Sequence, residues 1–271
     1  MAVKLAVAII HGMGVRTVPQ FADELIAELK SRLTKAKKNP AKVAFQTLYW
    51  ADITQSAQER YLQSARQSND LDFMSVRQFV VGAFGDAAAY QQAKDRNNSV
   101  QELIHDRIGG QLRELYVNQL GESSVPLVTM AHSLGGHIIS NYIWDLQAGN
   151  VPRQGLSGFE KFWSHAGMIT FGCNIPLFTF AHKAVLPIAF PSPRLPNDIK
   201  AKARWYNFFD PDDVLGYPLK PLSTAYAKAV DADIAVNVGG LLSSWNPASH
   251  SHYWTDNSFT EPAAKFLAEF L

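Results

Sequence analysis

A single cysteine, Cys173, among 271 residues can neither close an internal disulfide nor supply the thiolate-rich shell of a structural zinc site. An excess of one charge is also missing. Twenty-five Lys and Arg stand against 24 Asp and Glu, a formal net of +1, which argues against a nucleic-acid partner or an anionic lipid surface. Long hydrophobic runs are few, and each is interrupted. The N-terminal run MAVKLAVAIIHGMG contains Lys4, lacks a small-residue cleavage site and passes into glycines, so it reads as a strand rather than a signal peptide. Residues 162–182 carry no Asp, Glu, Lys or Arg and are long enough on count alone to span a bilayer. However, His165, Gly167, Gly172, Asn174 and Pro176 lie inside that stretch, and their polar groups would go unsatisfied in lipid. A buried strand followed by an apolar loop is the expected structure, with no transmembrane segment. These absences together predict a cytoplasmic protein with no metal and no cofactor. Repeats, low-complexity tracts and linkers are absent as well, which predicts one domain over 1–271.

Apolar residues make up 47% of the chain and charged residues 18%, ample for a large core and far from the composition of disorder. Short β-rich runs fall at 5–11, 45–50, 126–131, 168–172, 204–209 and 233–238. Most are near-continuously apolar, as strands covered on both faces are. Between the first two, Thr17 and Gln20 open a predicted helix with Phe21, Leu25, Leu29 and Leu33 at fourfold spacing and the basic run KAKK at its end. A second predicted helix starts at a Ser99/Glu102 capping box and carries Val100, Ile104, Ile108, Leu112 and Leu115 on one stripe, with Gly109 and Gly110 in its middle. A third, TEPAAKFLAEFL, closes the chain. Strands alternating with helices predict an α/β fold with a mostly parallel sheet and helices on both faces, its functional residues at the carboxyl ends of strands. Residues 53–97 and 176–198 exceed simple crossovers. They read either as cap or lid insertions over a substrate site, or as covering helix and packed loop.

The segment PLVTMAHSLGGHIISNYIW joins a strand ending at Ala131 to a helical pattern through a sharp turn with Ser133 at its bend. A nucleophile at such a bend needs small residues two positions to either side, because strand and helix backbones approach closely, and Ala131 and Gly135 supply them. The helix start also makes the Leu134 N–H a candidate oxyanion donor. After the first strand, the His11-Gly12-Met13-Gly14 turn offers a second, the Met13 N–H, or else is a plain strand-to-helix turn. It lacks the glycine spacing and the Gly-Lys-Ser/Thr ending of phosphate loops.

A serine nucleophile needs a base, and the base an orienting carboxylate. Strand RWYNFF runs into Asp210-Pro211-Asp212-Asp213-Val214, where Asp212 fits the reach from the strand end best and Asp213 and Asp210 follow. Acids in such a loop also serve as turn formers. The loop SSWNPASHSHYWTD holds His250 and His252, either of which suits a general base. No third ligand or HExxH pattern supports a metal there. His132 and His137 read as packing or supporting residues, and no partner is assigned to His105, His165 or His182.

In these elements the chain resembles the α/β-hydrolase superfamily, in particular its serine esterases and lipase-like members. HGMG follows the first strand, AHSLGG stands at the bend, DPDDV follows a late strand and SHSHYW comes last, in the order Ser, Asp, His. Ala131 replaces the more common glycine. The resemblance spans nearly the whole chain and implies Ser133 as nucleophile, His250 as base, Asp212 as its orienter, and the Met13 and Leu134 N–H groups as oxyanion hole. His250 is preferred to His252 because similar Ser-His-x-x-Tyr-Trp sequences carry the base at that position. The implied activity is hydrolysis of a small-molecule or lipid carboxylic ester. The same residues would serve an acyltransferase, thioesterase or phospholipase, and the fold would serve a non-catalytic binding protein. Oligomeric state and acyl-chain length are not legible.

Overall fold

The computed structural model describes residues 2–13, 18–68, 72–91, 100–150, 154–180, 183–239 and 249–271. Six strands, β1 (Leu5–Ile10), β2 (Val43–Leu48), β3 (Leu127–His132), β4 (His165–Phe171), β5 (Arg204–Phe209) and β6 (Ala232–Ala235), form one sheet in the order β2-β1-β3-β4-β5-β6. Every neighbouring pair is parallel, as the continuous apolar runs predict. β1, β3 and β4 are buried along their whole length. Their side chains alternate between two cores: Ala6, Ala8 and Ile10 of β1 face one, while Leu5, Val7 and Ile9 face the other.

Helices α1 (Asp23–Lys35) and α9 (Asn257–Ala268) cover the second core. Leu25, Leu29 and Leu33 form the buried stripe of α1, whose first turn carries Asp23 and Glu24 and whose last carries Arg32 and Lys35, matching the helix dipole. The first core is covered by α4 (Val100–Glu114), α5 (Leu134–Ala148) and α8 (Thr224–Ala229). Residues expected as an insertion form α2 (Asp52–Ser68) and α3 (Met74–Tyr90), which pack on each other and on α4. The second long segment holds α6 (Ile175–Thr179) and α7 (Asn197–Lys200), with irregular chain over 183–196. Among the described residues no helix is long and apolar enough to cross a membrane. Of the stretch 162–182, residues 165–171 form β4 and 175–179 form α6, while 181 and 182 lie outside the described residues.

Several expected boundaries move. The first helix starts at Asp23, not near Gln20, because Val18 to Ala22 forms turns closed by Phe21 N–H to the Val18 carbonyl and Asp23 N–H to the Gln20 carbonyl. Thr17, and the Ser99 of the capping box, lie outside the described residues. Gly109 and Gly110 do not break α4, and the Gly109 Cα leaves room for the Tyr142 hydroxyl, which a Cβ would meet at 3.0 Å. β4 begins at His165, three residues earlier than expected.

The strand order reverses between β1 and β3: β2 lies to one side of β1, and β3, β4, β5 and β6 follow on the other. A crevice at the carboxyl ends of β1 and β3 is where open α/β sheets bind ligands. The His11 turn and Ser133 stand at those two ends.

Candidate active site

Ser133 links β3 directly to α5 with φ 53° and ψ −127°, a left-handed conformation that costs a non-glycine residue about 1–3 kcal/mol and persists only where surrounding structure enforces it. Close backbone packing enforces it here. A Cβ on Gly135 would fall 2.5 Å from the His11 carbonyl oxygen, and one on Gly12 would fall 2.3 Å from Ser133 Cβ. The β1 turn therefore passes against the serine with no room for a methyl group. Ala131 fits at the other small position, buried in β3. The Ser133 N–H is anchored to the Phe171 carbonyl of β4 at 3.1 Å.

Ser133 Oγ lies 2.7 Å from His250 Nε2, and His250 Nδ1 lies 2.9 Å from Asp213 Oδ2. Nδ1–H donates to the carboxylate, and Nε2 is left to accept from the serine hydroxyl. Ser133 has no exposed surface, and Asp213 and His250 are 3% and 7% exposed, so water does not compete for these bonds. Burial by itself would raise the Asp213 carboxyl pKa. The bond and charge of His250, joined by the Leu215 N–H and the Tyr253 hydroxyl, outweigh it and hold the group below the usual carboxylate range.

The carboxylate facing the base is thus Asp213, which corrects the expectation of Asp212. Asp212 is exposed, and its backbone N–H donates to Asp210 Oδ1 at 2.8 Å. Asp210 is consumed in shaping the loop, since its Oδ2 accepts from the Val238 N–H as well. That turn leaves Asp213 as the acid pointing inward. His252, the other candidate base, is half-buried.

Four residues beyond the expected nucleophile, base, acid and oxyanion donors support this arrangement, His132 among them in the supporting part expected of it. Tyr253 is fully buried, donates its hydroxyl to Asp213 Oδ2 at 3.0 Å and accepts from the Asp210 N–H at 2.8 Å. It shares the short 3₁₀ helix Ser249–Trp254 with His250, and residues three apart in such a helix eclipse, so one turn presents both side chains to one carboxylate. The Ser-His-x-x-Tyr spacing carries that signal. His132 donates Nε2–H to the His250 carbonyl at 2.7 Å; burial first, then the nearby His250, lowers its pKa to about 3 and keeps it neutral. His11 donates Nδ1–H to the Gly12 carbonyl at 2.7 Å, while its Nε2 accepts from the Trp50 N–H at 3.2 Å. Burial lowers its pKa to about 4. With the Gly12 carbonyl turned to that ring, the planar peptide directs the Met13 N–H the opposite way. Gly172, at φ 52°, lets the end of β4 pass within 3.2 Å of His250 Cε1, measured from the Cβ it lacks.

A parallel sheet in this order, with a strained serine between the strand after the switch point and its helix, decides the architecture. The fold is that of the α/β hydrolases. As in the α/β-hydrolase arrangement, Asp213 follows a later strand, β5, and His250 follows the last one, β6. No family model and no curated protein matches the sequence. Solved structures similar to it include a lipase-esterase related protein from Clostridium acetobutylicum, with 9% identity and a TM-score of 0.41, and a pyrethroid hydrolase, with 11% identity and a TM-score of 0.36. Each comparison covers 100% of this chain and 98% of the other.

Among the described residues, the remaining cysteine and histidines stand in structural surroundings. Cys173 Sγ is buried against Gly136, and burial pushes its thiol pKa up to about 12. Among the described residues no three His, Cys, Asp or Glu group to hold a metal ion. His105 and His165 have structural partners, the Tyr90 hydroxyl at 2.8 Å and the Thr129 hydroxyl at 3.0 Å. His137 stacks on Phe178, and His182 lies outside the described residues.

Proposed function

We propose that the protein is a serine hydrolase that cleaves carboxylic esters of small molecules or lipids through an acyl-enzyme. The observation that carries this reading is the continuous hydrogen-bond chain from Ser133 through His250 to Asp213, at 2.7 and 2.9 Å. His250 takes the serine proton as Oγ attacks the acyl carbonyl, and Asp213 holds the imidazole in the Nδ1–H tautomer and stabilises its charged form. The Met13 and Leu134 N–H groups receive the oxyanion. Leu134 is the first residue of α5, so its N–H has no partner within the helix and carries the positive end of the dipole. His250 returns the proton to the leaving alcohol. Water deprotonated by the same histidine then releases the acid.

The test is turnover of a chain-length series of p-nitrophenyl esters, with fluorophosphonate labelling mapped by mass spectrometry. Ser133→Ala should remove label and lower kcat by a factor on the order of 10⁴ or more, with the fold retained. Full activity in that variant would overturn the proposal. The acyl-length profile separates small-ester from lipid substrates.

A further inference from the structure

The acid loop after β5 and the 3₁₀ turn Ser249–Trp254 meet on one phenol. Tyr253 Oη accepts from the Asp210 N–H at 2.8 Å and lies 3.0 Å from Asp213 Oδ2. A backbone N–H only donates and a carboxylate only accepts, so the hydroxyl proton of Tyr253 must lie on Asp213. Oδ2 is also the oxygen that receives His250 Nδ1–H at 2.9 Å, while Oδ1 receives the Leu215 N–H at 3.0 Å. The Tyr253 ring has no exposed surface and is walled by His132 and Phe171, with centroids 6.0 and 6.1 Å away. Gly172 closes it in at the end of β4, where a Cβ would meet Tyr253 Cε2 at 3.0 Å. The ring cannot swing off the carboxylate, and water does not compete for the bond.

Two donors on one oxygen share its charge. An O–H bonded to a carboxylate stabilises the anion in its own right, and weakens the attraction left for an imidazolium on the same oxygen. The phenol stays protonated while it does so, because burial first and the Asp213 charge second push its pKa up. Other ionisable groups around His250 are already committed. Asp210 spends both oxygens on N–H groups. His132 at the end of β3, its ring 4.7 Å from that of His250, and His11 in the β1 turn are both kept neutral by burial.

We propose that Tyr253 is a positioning residue that sets how tightly Asp213 holds the His250 imidazole, and with it the pH at which that base becomes available to Ser133. With the hydroxyl on the shared oxygen, the hold is loosened and His250 serves as a base at lower pH. Without it, the carboxylate keeps the protonated imidazole to higher pH. The inference rests on the hydrolase reading above.

The experiment compares the full chain with Tyr253→Phe and with 3,5-difluorotyrosine placed at position 253, whose more acidic hydroxyl is the stronger donor. On one p-nitrophenyl ester, the acid limb of kcat/KM should move to higher pH by about half a unit in the phenylalanine variant and to lower pH in the fluorinated one. A ring that only filled space would leave the limb in place. Tyr253→Phe strips the Asp210 N–H of its partner and should lower the thermal midpoint; the fluorinated chain keeps both bonds, so a folding defect cannot imitate its shift. The low-field proton resonance of His250 Nδ1–H, read by NMR without substrate, should move downfield in the phenylalanine variant and upfield in the fluorinated one. A parent protein that neither turns over esters nor takes label on Ser133 fails the hydrolase reading, and the resonance still decides the part of Tyr253. A limb and a resonance that stay put in both variants, or move the same way in both, would overturn the inference even where Ser133 is labelled.

Discussion

Among the three acids after β5, the choice of Asp213 is made by hydrogen bonds that no spacing rule contains. Asp210 spends both carboxylate oxygens on the N–H groups of Asp212 and Val238, and the turn so formed sends Asp212 outward and Asp213 inward. Asp213→Asn should therefore lower kcat on the order of 10³- to 10⁴-fold by favouring the wrong imidazole tautomer. Asp212→Asn should stay within about twofold, as a surface change away from the site does. Steady-state kinetics on one p-nitrophenyl ester compares them, and the reverse ranking would return the role to Asp212. The meeting of Ser133 with His250, 117 residues apart, was legible because each stands in a motif with its own context. The acid was legible only as a loop, since three adjacent carboxylates are separated by backbone turns and not by composition. His132 is legible as a supporting residue from its place beside Ser133, whereas the part Tyr253 plays is not, because its partner Asp213 comes from a loop 40 residues away.

The elements at the site depend on how closely the β1 turn approaches α5. Gly12→Ala would put a Cβ 2.3 Å from Ser133 Cβ and 2.9 Å from the His132 carbonyl oxygen. One backbone must shift, and the Met13 N–H shifts with it. Because misplacing or losing an oxyanion donor costs about 10²- to 10³-fold in rate, kcat should fall by that order. Gly110, inside α4, has nothing within 4 Å of its missing Cβ, so Gly110→Ala should keep activity and gain about 0.5–1 kcal/mol of stability from helix propensity. Ester turnover and urea midpoints for the two variants check both halves. Equal activity in both would detach the turn from the reaction. Element types followed from periodicity, whereas their ends followed from local competition. The 233–238 run was expected to be all strand, yet its ladder ends at Ala235, and the Val238 N–H goes to the Asp210 carboxylate instead.

At the scale of the molecule, the parallel sheet was readable because strands covered on both faces have no polar side to alternate. What composition hides is that burial also takes in histidines. His11, His132 and His165 are 3%, 5% and 2% exposed, and burial lowers their pKa values from 6.5 to about 4, about 3 and about 3. The folded chain keeps them neutral while the unfolded chain protonates them below pH 6.5, so between that value and the folded ones the unfolded state holds more protons. Stability is then full above about pH 6.5 and falls as pH drops. Each group contributes a slope of about 1.4 kcal/mol per pH unit, and the three together about 4, against a total of about 5–15 kcal/mol for a typical domain. The lowered carboxyls of Asp213 and Glu160 act in the same direction at more acid pH. Urea unfolding at pH 7, 6 and 5 should show the midpoint falling at both steps, by the equivalent of about 2 kcal/mol over the first and about 3.5 kcal/mol over the second, with the protein unfolding without denaturant between about pH 5 and 4. His165 opens β4 at the end of the sheet away from Ser133, and its ring bonds to Thr129 and to the Gly167 backbone, so His165→Gln should remove about a third of the slope while ester turnover at pH 7 is unaffected. An unchanged slope in that variant would mean that His165 is not the buried neutral group that its surroundings require.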